Sequence, residues 1–250
     1  MKRAVDIDRV TNVVIGVLLV LATVISLYPI WFVLIASFSK PAYIATGQVI
    51  FIPKGFTLAA YGKLLATKPI WIGYRNSLFY TFFGTLINMV VTLPCAYALS
   101  RPLLPGRKWL SFYFIFTMYF SGGLIPSYLL MNQLHLINTV WVLLLPGAVG
   151  VFNLLIARSF FEGSVPEALF EAAKIDGSSY TRFFLAIVLP LSKAMIAVLV
   201  LFYALGHWNA YFNAMIYIQD PAKQTLQVII KGITASLDTS MTESMDAVEM

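Results

Sequence analysis

The chain has 250 residues, 60% hydrophobic and only 11% charged, against about 25% charged in soluble domains, so it lacks the groups to cover a water-facing surface. That balance excludes a disordered chain, a coiled coil and an ordinary cytosolic enzyme, and the single cysteine, Cys95, excludes an internal disulfide. The net charge of +6 comes from Lys and Arg spread along the chain rather than gathered on one face, which reads as a membrane-orientation signal and not as a nucleic-acid surface.

Stretches free of Asp, Glu, Lys and Arg locate the membrane spans. They run from Val10 to Ser39 (30 residues), Asn76 to Ser100 (25), Trp109 to Ala157 (49) and Ala194 to Gln219 (26). A helix crossing a hydrocarbon core about 30 Å thick needs about 20 residues, so the longest stretch holds two spans. Its break is marked by Gly122-Gly123 and Pro126, which loosen the helix, and by the polar turn residues Asn132, Gln133, His135 and Asn138. Five helices are predicted, near 12–37, 76–99, 109–131, 138–159 and 185–208. The first could pass for a signal peptide after Met1-Lys2-Arg3, but its apolar run is too long, and Tyr28, Pro29 and Trp31 stand where small residues should be. Residues 1–10 then form a cytoplasmic N-terminus and 11–250 one transmembrane domain. The last residues, 220–250, lie outside the spans and mix an apolar segment (Leu226, Val228, Ile229, Ile230, Ile233) with the acidic Glu243, Asp246 and Glu249.

Short loops carry the orientation. Lys2, Arg3 and Arg9 precede the first span, Arg101, Arg107 and Lys108 follow the second, and Arg158, Lys174 and Arg182 follow the fourth. Placing all of them in the cytoplasm puts the N-terminus inside. The opposing loop, Lys40 to Arg75, also has five basic residues, but it is long and its charges count for less. No phosphate-binding G-x-x-x-x-G-K-[ST], no H-E-x-x-H and no G-x-S-x-G occurs, so the chain offers no site for ATP, zinc or a serine nucleophile. The charge-free stretches hold no Asp, Glu, Lys or Arg to carry a coupled ion, so a solute moved here takes its energy from a partner and is itself uncharged. Polar residues in or at the ends of the spans are Asn76, Asn88, Thr81, Thr85, Tyr97, Tyr113, Tyr119, Trp208, Asn209 and Asn213. They serve either as interhelical hydrogen bonds or as a hydroxyl-complementary path; Asn88, Trp208, Asn209 and Asn213 are the candidates for the path.

Residues 161–190 are the long polar interruption on the cytoplasmic side. Ser164-Val165-Pro166-Glu167 has the form of a capping box, with Ser164 as N-cap and Glu167 at the third helical position. A short helix is predicted from there to Asp176-Gly177, with Gly177 as a left-handed C-terminal cap. Glu167, Glu171 and Lys174 fall on one stripe, and Leu169, Ala172, Ala173 and Ile175 form a mostly small apolar remainder. About ten residues make a marginal helix alone, so it needs a surface, either its own membrane domain, the bilayer or another protein. The small alanine face is a poor bilayer anchor.

Glu171-Ala172-Ala173-x-x-Asp176-Gly177 followed by Ile187-x-Leu189-Pro190-Leu191 resembles the EAA loop of ABC-importer permease subunits, and PEALFEAAKIDGSSYTRFFLAIVLPL is similar to its carbohydrate (complex oligosaccharide) branch. The resemblance extends to NSLFYT (76–81), LPCAYALSR (93–101) and SGGLIP (121–126); Ala194 stands where a proline is common and Ser178 where an alanine is. It implies an all-α polytopic membrane helix bundle of the permease type in a bacterial cytoplasmic (inner) membrane, with a sixth span beyond the five present. It also implies that Glu171, Ala172, Ala173, Asp176 and Gly177 form a coupling helix seated on an ATPase subunit. The chain would bind no cofactor, ATP-Mg residing on that partner. The other partners implied are a second permease subunit, an extracellular or periplasmic solute-binding protein and membrane lipid, with no nucleic acid. Two other readings stand beside this one: a permease for a non-sugar solute, and an intramembrane enzyme using His135 or His207.

Overall fold

The computed structural model describes residues 2–236, with side chains from Thr11 onward. The acidic residues Glu243, Asp246 and Glu249 and any span beyond them lie outside the described residues. Among those residues all regular structure is helical, and the chain divides into two compact units, one through Lys68 and one from Pro69.

In the first unit, α1 (Lys2–Ser37) is one long helix whose apolar side chains, from Val13 to Leu34, stand exposed along most of its length. Its portion Thr11–Ser37, 27 residues or about 40 Å, is long and apolar enough to cross a membrane. Two short helices follow, α2 (Pro41–Ala45) and α3 (Ala59–Ala66). The segment between them folds back on the end of α1. Trp31 Nε1 donates to the Phe51 carbonyl (3.0 Å), Thr57 N donates to that of Phe38 (2.9 Å), and the Phe38 ring stacks on Phe56 and Tyr61.

The second unit is organised around α4 (Lys68–Ser100), 33 residues and about 50 Å. It begins eight residues before the expected 76–99 span because the apolar pattern marks only the part that lipid requires, while the helix continues through Lys68 and Arg75. Its buried residues include Gly73, Ser77, Gly84, Asn88, Thr92, Ala96 and Ser100, a stripe of small and polar groups at steps of four and seven. Small residues let neighbouring helices approach closely. A Cβ on Gly84 would lie 2.4 Å from the His207 ring, so only glycine fits there.

Three expected spans turn out to be interrupted. Residues 109–131 form α5 (Arg107–Tyr119) and α6 (Leu124–Gln133), bent by 113° across the Gly122-Gly123 break. Residues 138–159 form α7 (Trp141–Leu144), an irregular stretch at 145–150 around Pro146 and the left-handed Gly147, and α8 (Val151–Ser164). Residues 185–208 form the end of α10 (Tyr180–Leu191) and α11 (Lys193–Trp208), bent by 83° at Ser192. Pro190 has no N–H for the Ala186 carbonyl, and a π turn over Phe184–Val188 precedes it, while the bend itself falls at Ser192, whose φ −101° and ψ 16° leave the helical region. Lys193, inside the expected fifth span, sits exposed directly after this bend. Among the described residues two helices are long and apolar enough to cross a membrane, or up to four if each bent pair counts as one span.

α9 (Glu167–Ile175) joins α8 to α10; α12 (Phe212–Tyr217) and α13 (Leu226–Ser236) complete the unit. The core brings together Leu93, Ala96 and Tyr97 of α4, Leu154, Ala157 and Phe161 of α8, Phe170 and Ala173 of α9, Phe183 and Val188 of α10, and Met195, Leu199 and Tyr203 of α11. Cys95 packs half-buried at its edge as a free thiol.

Candidate functional site

Two regions carry the candidate residues, α9 and a cavity beside the break at 145–150. Ser164 does not cap α9. It is the last residue of α8, and Pro166 occupies the N-cap position without a side-chain bond. Proline disfavours the helical conformation in the residue before it, so Val165 takes φ −124°, ψ 81° and ends one helix before the next begins. Glu167 still complements the positive end of the helix from its first turn.

The other end matches expectation. Gly177 has φ +74°, its N–H donates to the Lys174 carbonyl (3.0 Å), and Ser178 N–H donates to the Ala173 carbonyl (2.9 Å). Those two bonds form a Schellman cap.

Phe170 and Ala173 face the core, where the Phe170 ring stacks 4.7 Å from Tyr180 and meets Phe183 edge-on at 5.2 Å. Glu171, Ala172, Lys174, Asp176 and Gly177 are exposed, and Ile175 is 87% exposed. Glu171, Lys174 and Asp176 make no ion pair among the described residues. Of the five residues proposed for coupling, Ala173 thus seats the helix and the other four share its open face. Glu167 leaves the expected polar stripe and pairs instead with Arg101 at 3.6 Å.

Around the base of α9 lies a polar cluster that the sequence reading treated only as orientation charges. Glu162 pairs with both Arg107 and Arg158, the latter at 3.0 Å, and Arg158 also donates to Ser111 Oγ at 2.7 Å. Only the Arg158–Glu162 pair, four apart on one helix, has a local signal.

The cavity, about 310 Å³, is lined in part by Asn88, Gly147, Asn153, Tyr203, His207 and Asn213. Irregular backbone at membrane depth needs partners or a polar cavity. Here Asn88 Nδ2 donates to the carbonyls of Gly147 (3.2 Å) and Ala148 (2.8 Å), and Tyr203 Oη accepts from Gly150 N–H at 3.1 Å. Both Asn88 donors being used, its Oδ1 accepts from His207 Nε2 at 2.6 Å, which fixes the imidazole as the Nε2–H tautomer when neutral. Tyr203 also bonds Thr92 Oγ1 at 2.8 Å.

Asn88 and Asn213 therefore come together in one cavity wall. Asn88 is only 2% exposed with its amide fully engaged, whereas the side-chain amides of Asn153 and Asn213 have no hydrogen bond among the described residues. Trp208 and Asn209 stand outside the lining. Trp208 contacts the Tyr74 ring at 6.3 Å, and Asn209 Nδ2 donates back to the Leu205 carbonyl at 3.0 Å. Tyr203 and Asn153 are not among the residues singled out from the sequence, and His207 stands there only as an enzyme candidate. Met195, Leu199, Tyr203 and His207 recur every fourth residue and so mark the inward face of α11, a signal available in the sequence. Asn76 has a bracing role, donating to the carbonyls of Ala222 (2.8 Å) and Gln224 (3.0 Å). Among the described residues no group of three or more His, Cys, Asp or Glu could hold a metal.

Residues 67–244 match the family model described as the binding-protein-dependent transport system inner membrane component. The chain is 40% identical over 218 residues to Protein LplC of Bacillus subtilis (strain 168), covering 87% of this chain and 74% of that protein. It is 39% identical over 226 residues to the polygalacturonan/rhamnogalacturonan transport system permease protein YtcP of the same organism, covering 90% and 79%. In structure it is similar, with a TM-score of 0.86 and 35% identity over 90% of this chain and 80% of the other, to a chain of a bacterial ABC transporter involved in the import of the acidic polysaccharide alginate.

Proposed function

The chain belongs to the family of binding-protein-dependent transport system inner membrane components, and from that premise we propose that it is the permease subunit of an ATP-driven importer whose cargo is an oligosaccharide. It is a transport component and not an enzyme, which removes the intramembrane-enzyme reading of His135 and His207. His207 is instead engaged with Asn88.

The observation that carries the proposal is the open face of α9. The helix is fixed to the core by Phe170 and Ala173 and capped at Gly177, yet Glu171, Ala172, Ile175 and Asp176 are exposed and unpaired. A helix this short is held by packing, so its apolar exposed tip, above all Ile175, fits a cleft on a partner. We assign that cleft to a cytoplasmic ATPase subunit carrying ATP-Mg. Closure of the ATPase pair would push α9, and through the core α4, α8 and α11, toward the outward-open state. A second permease subunit and a solute-binding protein complete the assembly.

The same cluster supports an assignment of the side of the membrane. Arg101, Arg107 and Arg158 gather beside α9, which supports a shared cytoplasmic side and an N-terminus inside. For the cargo, the cavity offers two unspent amides, Asn153 and Asn213, and no charged lining group, which suits hydroxyl-rich solutes. The names of the similar proteins support a carbohydrate over other solutes.

The test is E171A in the purified complex reconstituted with its binding protein. Substrate-stimulated ATP hydrolysis should fall about tenfold, as for loss of one charge-assisted contact in an interface. Unchanged stimulation would remove α9 from the ATPase interface.

A further inference from the structure

We infer that Arg101 is a positioning residue of the transport cycle: it locks the start of α9 to the ends of α4 and α8, so that the exposed helix and two core helices are displaced as one body. The inference rests on the reading of α9 as the ATPase-facing element and names the side chain that transmits its motion.

Arg101 directly follows α4, and its guanidinium is spent in three directions. Nη1 donates to the Val165 carbonyl at 3.2 Å, and Nη2 donates to the carbonyls of Phe161 and Val165, each at 3.2 Å. Nε donates to Ser100 Oγ at 3.1 Å, on the last residue of α4. Nη1 also lies 3.6 Å from the Glu167 carboxylate in the first turn of α9, and the group sits over the Tyr97 ring at 5.0 Å.

Of the carbonyls it binds, that of Phe161 already accepts from Val165 N–H at 3.2 Å, while that of Val165, the residue capping α8, has no backbone donor among the described residues. The last four carbonyls of a helix have no partner inside it, and Pro166 prevents the chain from supplying one by continuing. A cation at this negative helix end is favourable, and the planar fork of arginine can hold two carbonyls at once where lysine cannot. Arg101 is thus a C-terminal cap for α8 donated from α4, and by Glu167 it also holds the first turn of α9. The side chain is 14% exposed, so water competes weakly for these bonds.

Among the described residues nothing else in the cluster duplicates the link to α9. Arg107, Arg158, Ser111 and Glu162 tie α5 to α8, and Arg107 Nε also donates to the Leu99 carbonyl of α4 at 2.8 Å, but none of them reaches α9. The other anchors of α9, Phe170 and Ala173, are apolar contacts, which fix its depth but are non-directional and leave its start free to shift.

The experiment compares R101A, R101K and E167Q in the assembled transporter with its binding protein, reading two quantities: amide hydrogen exchange across residues 166–176, and substrate transported per ATP hydrolysed. R101A should raise exchange and lower transport per ATP, each about tenfold, the factor for one lost charged hydrogen bond. R101K keeps the charge without the fork and should fall between R101A and the parent. E167Q keeps the carbonyl bonds and should change both by about threefold or less. If R101A does not assemble, R101K and E167Q decide. Exchange within twofold of the parent in R101K as well as R101A overturns the clamp. Raised exchange with unaltered transport per ATP leaves Arg101 merely structural and also overturns the inference. Loosened α9 and reduced transport per ATP in R101A, with E171A still fully stimulated, would uphold the clamp and reject the docking face instead.

Discussion

Replacing Asn88 by leucine, nearly the same size, removes three hydrogen bonds without opening a large cavity. The Gly147 and Ala148 carbonyls lose their donor and His207 Nε2–H loses its acceptor. On the scale of interhelical bonds in membrane proteins, about 0.6 kcal/mol each, the total is about 2 kcal/mol. On the scale for buried groups left unpaired, about 1–3 kcal/mol each, it is at least about 3. The second scale governs, because the two carbonyls belong to irregular backbone and have no intrahelical donor to fall back on. N88L should therefore destabilise the permease by about 3–5 kcal/mol in mixed-micelle denaturant unfolding. N88D should be at least as damaging: it can still accept from His207 but turns a carboxylate oxygen toward both carbonyls. A loss below about 1 kcal/mol for N88L would show that the break at 145–150 does not depend on this amide.

Gly177 holds φ +74°, so G177A should cost about 1–2 kcal/mol in the same unfolding assay and fray the end of α9; equal stability would contradict the Schellman cap. N153L and N213L should each lower substrate uptake about tenfold while leaving assembly of the complex intact, since neither amide supports another group. Transport assays at matched protein levels check this, and unaltered uptake in both removes the cavity from the solute path.

What the sequence made legible followed from local rules. Charge-free runs located the apolar segments, and Asp176-Gly177 located the end of α9, because lipid and left-handed backbone both select residue types directly. The interruptions were less legible. Pro146-Gly147 and Pro190 were visible, yet whether a proline merely bends a helix or breaks it depends on who takes the freed backbone groups. Those partners, Asn88 and Tyr203 for the first break, are 53 to 60 positions away. The assignment of Ser164 as a cap failed because Pro166 is not a first-turn residue but the N-cap itself, and it ends one helix at Val165 before the next can begin. For the same reason Arg101 looked like an orientation charge: its carbonyl partners carry no side-chain signature at all.

The way the break at 145–150 is satisfied has an electrical consequence. An idle importer sits in an energised membrane, where each elementary charge that crosses is worth about 2.3 kcal/mol per 100 mV. Backbone groups that had to be solvated by water would string polar sites through the hydrocarbon layer and give protons a place to hop. Because Asn88 and Tyr203 meet the Gly147, Ala148 and Gly150 groups from within the protein, these three groups need no water of their own, although Gly147 also lines the cavity. The amide at position 88 thus serves as insulation as much as reinforcement, and N88L vesicles should lose a preset proton gradient faster than those with the parent permease.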